Sequence, residues 1–182
     1  MPETKFRKIN NLIGWLLFSV ALVIYGLTVE PTASYWDAGE YISTSAKLQV
    51  GHPPGAPFFQ MMGAVFSLFA SNNESIAIAV NFLSVVSSAF VILFLFWSTT
   101  LFLKKISKKN NFPNDTNILL SSSIGALAFT FSDSFWFNAV ETEVYALAML
   151  FLSATFWCGL KWEKDFDNKR GCLLYTSPSP RD

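Results

Sequence analysis

Long apolar runs constrain the fold of this 182-residue chain more than any other feature of its sequence. A helix that spans a bilayer needs about 20 mostly apolar residues. Four runs meet that requirement: residues 12–29, 76–103, 118–135 and 139–160. Charged residues make up only 14% of the chain, against about 25% in a typical soluble domain. The sequence therefore predicts an all-α, polytopic membrane protein with four spans.

Clusters of basic residues beside these runs predict their orientation. Lys and Arg concentrate in the short loops on the cytoplasmic side of a membrane. The clusters at 5–8, 104–109 and 161–170 all fall on one side if the chain has four spans, which puts the N-terminus in the cytoplasm. The net charge of zero gives no general attraction to nucleic acid, so we expect no nucleic-acid partner.

Two shorter segments, 35–50 and 58–70, are predicted to be interfacial or re-entrant helices in the first outer loop. A full crossing at 58–70 would move the lysines of 104–109 to the outer side, against the charge rule. The segment 35–50 has an amphipathic pattern that suits the membrane surface. Four of its polar residues lie on one helical stripe: Asp37, Glu40, Thr44 and Lys47.

Four carboxylates on the predicted outer face are the candidate catalytic residues: Asp37, Glu40, Glu141 and Glu143. Two interpretations stay open for Asp37 and Glu141. Ser34-x-x-Asp37 and Asn138-x-x-Glu141 both resemble helix-capping patterns, which would make these acids structural. Capping explains Glu40 and Glu143 less well, and an acid near membrane depth is costly unless it faces a cavity or a partner.

Three further residues are candidates for substrate binding. Tyr41 has the amphipathic character of interfacial aromatic residues. His52, the single histidine, lies in a rigid turn and has a structural alternative. Lys47 could pair with a phosphate or could extend to the membrane interface. The sequence does not decide whether a metal is needed, and Asp37 with Glu141 or Glu143 could hold a divalent metal ion through carboxylate oxygens.

Three motifs carry a resemblance to a known family: WDAGEY (36–41), HPPGAP (52–57) and FSDSFWFNAVETEVYA (131–146). Residues 10–163 resemble a bacterial and animal family of multi-spanning proteins, long catalogued as a domain of unknown function. That family is similar to the GT-C glycosyltransferases and to protein O-mannosyltransferases. The resemblance implies that the chain forms the N-terminal part of a GT-C fold in a bacterial inner membrane.

The resemblance also implies an activity for this chain. It is the transfer of a sugar, with mannose expected, from a polyprenyl-phosphate donor to a protein Ser/Thr or glycan hydroxyl on the non-cytoplasmic face. The resemblance gives Asp37 the role of general base, with Glu40 as a second acid. Glu141 or Glu143 would help to complete the site. Two alternatives stay open: a multi-spanning transporter or lipid-handling protein, and a structural membrane subunit.

The last segment, CLLYTSPSPRD (172–182), differs sharply in character from the rest of the chain. Its reverse translation matches a transposon adapter used in sequencing libraries. We therefore expect residues 172–182 to be an adapter artefact and residues 1–171 to be an N-terminal fragment that is inactive by itself.

Overall fold

A computed structural model describes residues 2–53, 55–110 and 114–164. Seven α-helices follow one another in these residues: α1 (Glu3–Leu27), α2 (Ala38–Lys47), α3 (Pro57–Ser67), α4 (Ile76–Asn110), α5 (Asp115–Thr130), α6 (Asp133–Val140) and α7 (Val144–Lys164). A 3-10 turn, Asn73–Ser75, leads into α4. The described ranges contain no β-strand, so the predicted all-α class is confirmed. The predicted artefact at 172–182 lies outside them.

Three of the helices, α1, α4 and α7, are long and apolar enough to cross a membrane. The helices α5 and α6 pass the same test only as a pair, and they are bent by 63° relative to each other. The described residues therefore contain three candidate membrane-spanning helices, or four if the bent pair forms one span. Either number agrees with the predicted polytopic membrane protein.

The bend between α5 and α6 lies inside the third predicted run, 118–135. The chain leaves the helical conformation at Phe131, and Ser132 is extended, with φ −71° and ψ 133°. A second helix then begins at Asp133, where a carboxylate favours a helix N-terminus. The hydroxyl of Tyr25 in α1 donates a 2.8 Å hydrogen bond to the carbonyl of Thr130. This bond satisfies one of the backbone groups that the end of α5 leaves unpaired.

The central helix of the bundle is α4, which packs against all six of the other described helices. Its most apolar segment is 61% buried, compared with 22% for α1 and 11% for α7. The largest hydrophobic cluster joins α1, α4, α5 and α6 around Tyr25, Ile92, Phe96 and Ile118. The exposed apolar faces of α1 and α7 are what a lipid environment requires of outer helices.

The short helices α2 and α3 pack against each other and against α4. Their approach is close: a Cβ added at Gly63 in α3 would lie 2.5 Å from Oγ of Ser45 in α2. The helix α2 ends at Leu48, whose left-handed backbone (φ 49°) redirects the chain. The turn that follows returns to α2 before α3 begins, and it contains His52.

Candidate functional site

Asp37, Glu40 and His52 form a compact cluster where the chain enters and leaves α2. The backbone N–H of His52 donates a 2.6 Å hydrogen bond to Oε1 of Glu40. The ring atom Nδ1 of His52 lies 2.8 Å from Oε2 of the same carboxylate. The other ring nitrogen, Nε2, lies 3.9 Å from Oδ2 of Asp37. The sequence-predicted residues Asp37, Glu40 and His52 therefore lie together.

The two hydrogen bonds between Glu40 and His52 shift the pKa values of both groups. The bond from the His52 backbone N–H, with the one from its ring, holds the pKa of Glu40 below its ordinary value. The bond to Glu40 and the negative charge of that carboxylate raise the pKa of His52, and the charge of Asp37 adds to the effect. The pair therefore favours a carboxylate beside an imidazolium.

Asp37 is not held by a capping bond. It occupies the N-cap position of α2, but its side chain makes no capping hydrogen bond. The carboxylate is 55% exposed, so it is accessible to a substrate. The preceding residue, Trp36, has a left-handed backbone with φ 62°. Such a conformation is uncommon outside glycine and occurs often at functional sites. Of the two interpretations of Asp37, capping loses its support.

The acids of the second predicted cluster lie in the short connection between α6 and α7. Glu141 follows the last residue of α6 and is only 5% exposed. Asn138 lies inside α6, so the pattern Asn138-x-x-Glu141 does not mark a helix start. Glu143 is partly exposed and immediately precedes α7. Burial raises the pKa of both carboxyl groups above their ordinary values.

The two acidic clusters, distant in sequence, interact electrostatically. The negative charges of Glu141 and Asp37 raise the pKa of Glu143 further, after the larger effect of burial. Both clusters also affect Tyr41: burial is the main cause that raises the pKa of its phenol, and the charges of Glu143 and Asp37 add to the effect. The Tyr41 ring packs edge-on against Phe59, with centroids 5.4 Å apart. Charges of both acidic clusters therefore act on a tyrosine whose ring packs against α3.

A buried polar network links the segments of the two acidic clusters, and the sequence did not predict it. The amide nitrogen of Asn81 in α4 donates hydrogen bonds to the carbonyls of Glu30 (2.6 Å) and Thr32 (3.1 Å). The amide oxygen of Asn81 accepts a hydrogen bond from the hydroxyl of Thr142. Asn81 therefore ties the segment before α2 to the segment that carries Glu141 and Glu143. The sequence signal for this network was Asn81 itself, the single amide side chain in the apolar run 76–103.

Lys47 does not join the site. It lies exposed at the C-terminal end of α2, seven residues and therefore about 10 Å along the helix from Glu40. The nearby cation at the acidic cluster is His52 instead.

Asp37, Glu40 and His52 also have suitable donor atoms for a divalent metal ion. One ligand atom from each residue lies within 4.8 Å of the others. Two carboxylates with an imidazole suit a divalent cation. Because Glu40 is already bonded to His52, metal binding through all three residues would replace that hydrogen bond. The metal predicted between Asp37 and Glu141 or Glu143 stays a prediction.

Comparison with known proteins places the chain in a family. Residues 37–176 match the family model described as the protein O-mannosyl-transferase TMEM260 N-terminal domain. The chain belongs to this family. The range of this chain that matches the TMEM260 N-terminal domain contains all seven candidate residues that the sequence analysis predicted: Asp37, Glu40, Tyr41, Lys47, His52, Glu141 and Glu143. The predicted relationship to O-mannosyltransferases is thereby confirmed.

A curated relative supports the same assignment. The chain is 30% identical over 158 residues to the protein O-mannosyl-transferase tmem260 of Dictyostelium discoideum. The alignment covers 85% of this chain and 18% of that relative, so the chain spans about a fifth of the relative's length. No solved structure matches.

Proposed function

We propose that this chain contributes part of the active site of a membrane O-mannosyltransferase, with the acidic face around Asp37 and Glu143 as the reaction site. The observation that carries the proposal is the cluster of Asp37, Glu40 and His52, in which Nε2 of His52 lies 3.9 Å from the exposed carboxylate of Asp37. Family membership supports glycosyl transfer over transport, since the matched family is described as a protein O-mannosyl-transferase.

In the proposed reaction, an acceptor hydroxyl attacks the anomeric carbon of a sugar on a polyprenyl-phosphate donor. Asp37 accepts the hydroxyl proton as the new C–O bond forms, and the bond from the anomeric carbon to the phosphate oxygen breaks. The phosphate leaves with the electron pair of that bond. Asp37 suits this role because it is exposed and makes no capping bond. The acceptor is a protein Ser or Thr, and the sugar is mannose.

The other residues of the face are assigned supporting roles. Glu143 is taken as the second acid rather than Glu141, because Glu143 is more exposed and interacts with Asp37. His52, held by Glu40, presents positive charge beside Asp37 and can balance part of the charge on the leaving phosphate. If a divalent metal binds at Asp37, Glu40 and His52, it supplies that positive charge instead.

The proposal places the acidic face on the non-cytoplasmic side of the membrane. The support is the distribution of basic residues, since Arg7, Lys104 and Lys161 all lie at the other end of the bundle. A bacterial inner membrane stays a prediction, and the relative that matches comes from Dictyostelium.

The test is the substitution Asp37→Asn in the complete gene product, assayed for transfer from a lipid-linked mannose to a Ser/Thr peptide. We expect kcat to fall about 100-fold or more, the contribution typical of a general base. Thermal unfolding should change little, because the exposed Asp37 side chain makes no capping hydrogen bond that the substitution could remove. The 182-residue chain alone is expected to be inactive.

The matched control is Asp133→Asn, which removes the same charge from an exposed residue in the first turn of α6. Its rate should equal that of the wild type. Full transfer by the Asp37→Asn variant would exclude Asp37 as the base. Solute uptake by the wild type, without any transfer of sugar, would favour the transporter.

A further inference from the structure

A second site lies at the end of the bundle opposite the acidic face. There a cavity of about 610 Å³ opens between the start of α1, the end of α4 and the end of α7. The residues that line it and matter here are Arg7, Asn10, Trp97, Lys104, Trp157 and Lys161. None of the seven predicted site residues lines this cavity.

The cavity is rich in positive charge. Arg7 in α1 and Lys161 in α7 are exposed lining residues, and Lys104 comes from α4. Glu3 contributes the single carboxylate among the lining residues. Lys104 is partly engaged, since its Nζ lies 3.9 Å from Asp115 and 3.6 Å from the centroid of the Phe6 ring. Arg7 and Lys161 are therefore the cations best placed to receive an anionic ligand.

Aromatic rings also line the cavity. Trp97 and Trp157 lie with ring centroids 5.4 Å apart, and Trp15 lies 6.1 Å from Trp97 on the α1 side. Nζ of Lys161 lies 5.7 Å from the centroid of the Trp157 ring. The apolar surface continues along the flank of α1, where Trp15 is 47% exposed. Basic side chains thus adjoin an aromatic surface that continues along α1 to the exposed Trp15.

We propose that this cavity binds an anionic phospholipid. The phosphodiester lies between Arg7 and Lys161, and an acyl chain lies against Trp97 and Trp157. An anionic phospholipid joins these two chemistries in one molecule, whereas a free phosphate has no acyl chain for the aromatic surface. The location also fits, because basic pockets between spanning helices at the headgroup level bind anionic lipids. The site is independent of the proposed sugar transfer.

The test measures lipid binding to the protein purified in detergent, by native mass spectrometry with added phosphatidylglycerol or phosphatidylcholine. We expect one phosphatidylglycerol to bind in clear preference to phosphatidylcholine. The double variant Arg7→Gln/Lys161→Gln should weaken phosphatidylglycerol binding roughly 30-fold, the combined effect of two basic side chains near an anionic lipid. Circular dichroism reports whether the variant keeps its helices, and the single variant Lys161→Gln repeats the test with less change.

The matched control is Lys5→Gln/Lys8→Gln, which removes the same charge from α1 at exposed residues that do not line the cavity. This variant should keep the preference for phosphatidylglycerol. An equal loss in both double variants would mean general attraction to anionic lipid and would overturn the site. Equal binding of phosphatidylcholine would overturn it too. If inorganic phosphate competes at the same concentration as phosphatidylglycerol, the cavity binds an anion without using the acyl chain, and the proposed phospholipid site is overturned.

Discussion

Glu40 holds His52 through both a backbone and a ring hydrogen bond, and this pairing decides which ring nitrogen faces Asp37. At the scale of single residues, the sequence names Glu40 and His52 as candidates, and their contact with each other suggests what each can do. Glu40, held ionised by His52, is a weaker base than an unperturbed carboxylate. The raised pKa of His52 favours its cationic form beside the acids, whereas Lys47 lies away from the site at the end of α2.

The pairing predicts the titration of His52. The chain contains one histidine, so ¹³C-labelled histidine gives a single NMR titration curve. We expect its midpoint above the ordinary value of 6.5, because Glu40 stabilises the imidazolium. Glu40→Gln should return the midpoint toward 6.5, and Asp37→Asn should lower it less, because its charge is the smaller influence.

The pKa shifts of His52 and Glu40 also determine how the stability of the turn changes with pH. Because the pKa of His52 is raised, its stabilising effect is complete below about pH 6.5 and is lost as the pH rises through the raised value. Because the pKa of Glu40 is lowered from 4.5, its effect is complete above about pH 4.5 and is lost as the pH falls through the lowered value. Protection of the His52 amide from hydrogen exchange, corrected for intrinsic rates, should therefore be greatest between about pH 4.5 and pH 6.5. Unchanged protection at pH 9 would contradict the pairing.

At the scale of elements, the turn between α2 and α3 has little space beside the site. A Cβ added at Gly51 would lie 2.9 Å from Nε2 of Gln60 and 2.9 Å from Oε1 of Glu40. Gln60 is buried and donates a 3.0 Å hydrogen bond to Oγ1 of Thr44, so it resists displacement. The Glu40 carboxylate is the group that must move.

Gly51→Ala is therefore expected to separate Glu40 from His52 and to lower the His52 titration midpoint toward 6.5. The free energy of unfolding should change by no more than about 1 kcal/mol, because the displaced group is a flexible side-chain end. Gly125→Ala in α5 is the control, since no atom lies within 4 Å of its added Cβ. A His52 midpoint that stays at its wild-type value in Gly51→Ala would refute the predicted displacement.

The connection between α6 and α7 depends on Asn81, which is 1% exposed. Asn81→Ala leaves the Thr142 hydroxyl and the carbonyls of Glu30 and Thr32 without this partner. Each buried group left unpaired costs about 1–3 kcal/mol, so we expect a loss of at least about 2 kcal/mol in unfolding free energy. Denaturant or thermal unfolding in detergent measures it.

Asn138→Ala is the control for Asn81→Ala, because the Asn138 amide donates only to the carbonyl of Ser134, one turn earlier in the same helix. Its stability should stay within about 0.5 kcal/mol of the wild type. Equal losses of unfolding free energy in the two variants would mean that the hydrogen bonds of Asn81 between segments stabilise the protein no more than a bond within one helix.

At the scale of the whole molecule, the bundle has an acidic end at α2 and the α6–α7 connection and a basic end at the cavity. The predicted orientation places the basic end in the cytoplasm. Single cysteines at Ser71 and at Lys5, introduced after replacing Cys158 and Cys172 by Ser, test it. A membrane-impermeant maleimide should label Ser71→Cys in intact cells and Lys5→Cys only after permeabilisation. The reverse pattern would invert the orientation.

The sequence by itself determined the helical class and the polytopic membrane character, and it supplied the candidate site residues. These are local properties: the length of an apolar run decides whether a helix can span a bilayer, and carboxylates in such a chain are few. The helix break at 131–132 was beyond this reasoning, because residues 118–135 read as one continuous apolar run.

Only the tertiary structure decided which of those residues meet. Glu40 and His52, which are 12 residues apart, form hydrogen bonds, and so do Asn81 and Thr142, which are 61 residues apart. Asp37 lies 3.9 Å from the His52 ring. The structure also separated Lys47 from the site and removed the capping interpretation of Asp37. The physical reason is that hydrogen bonds and Coulomb interactions act over a few ångströms. Their partners are therefore set by how α2, α4 and the α6–α7 connection pack together.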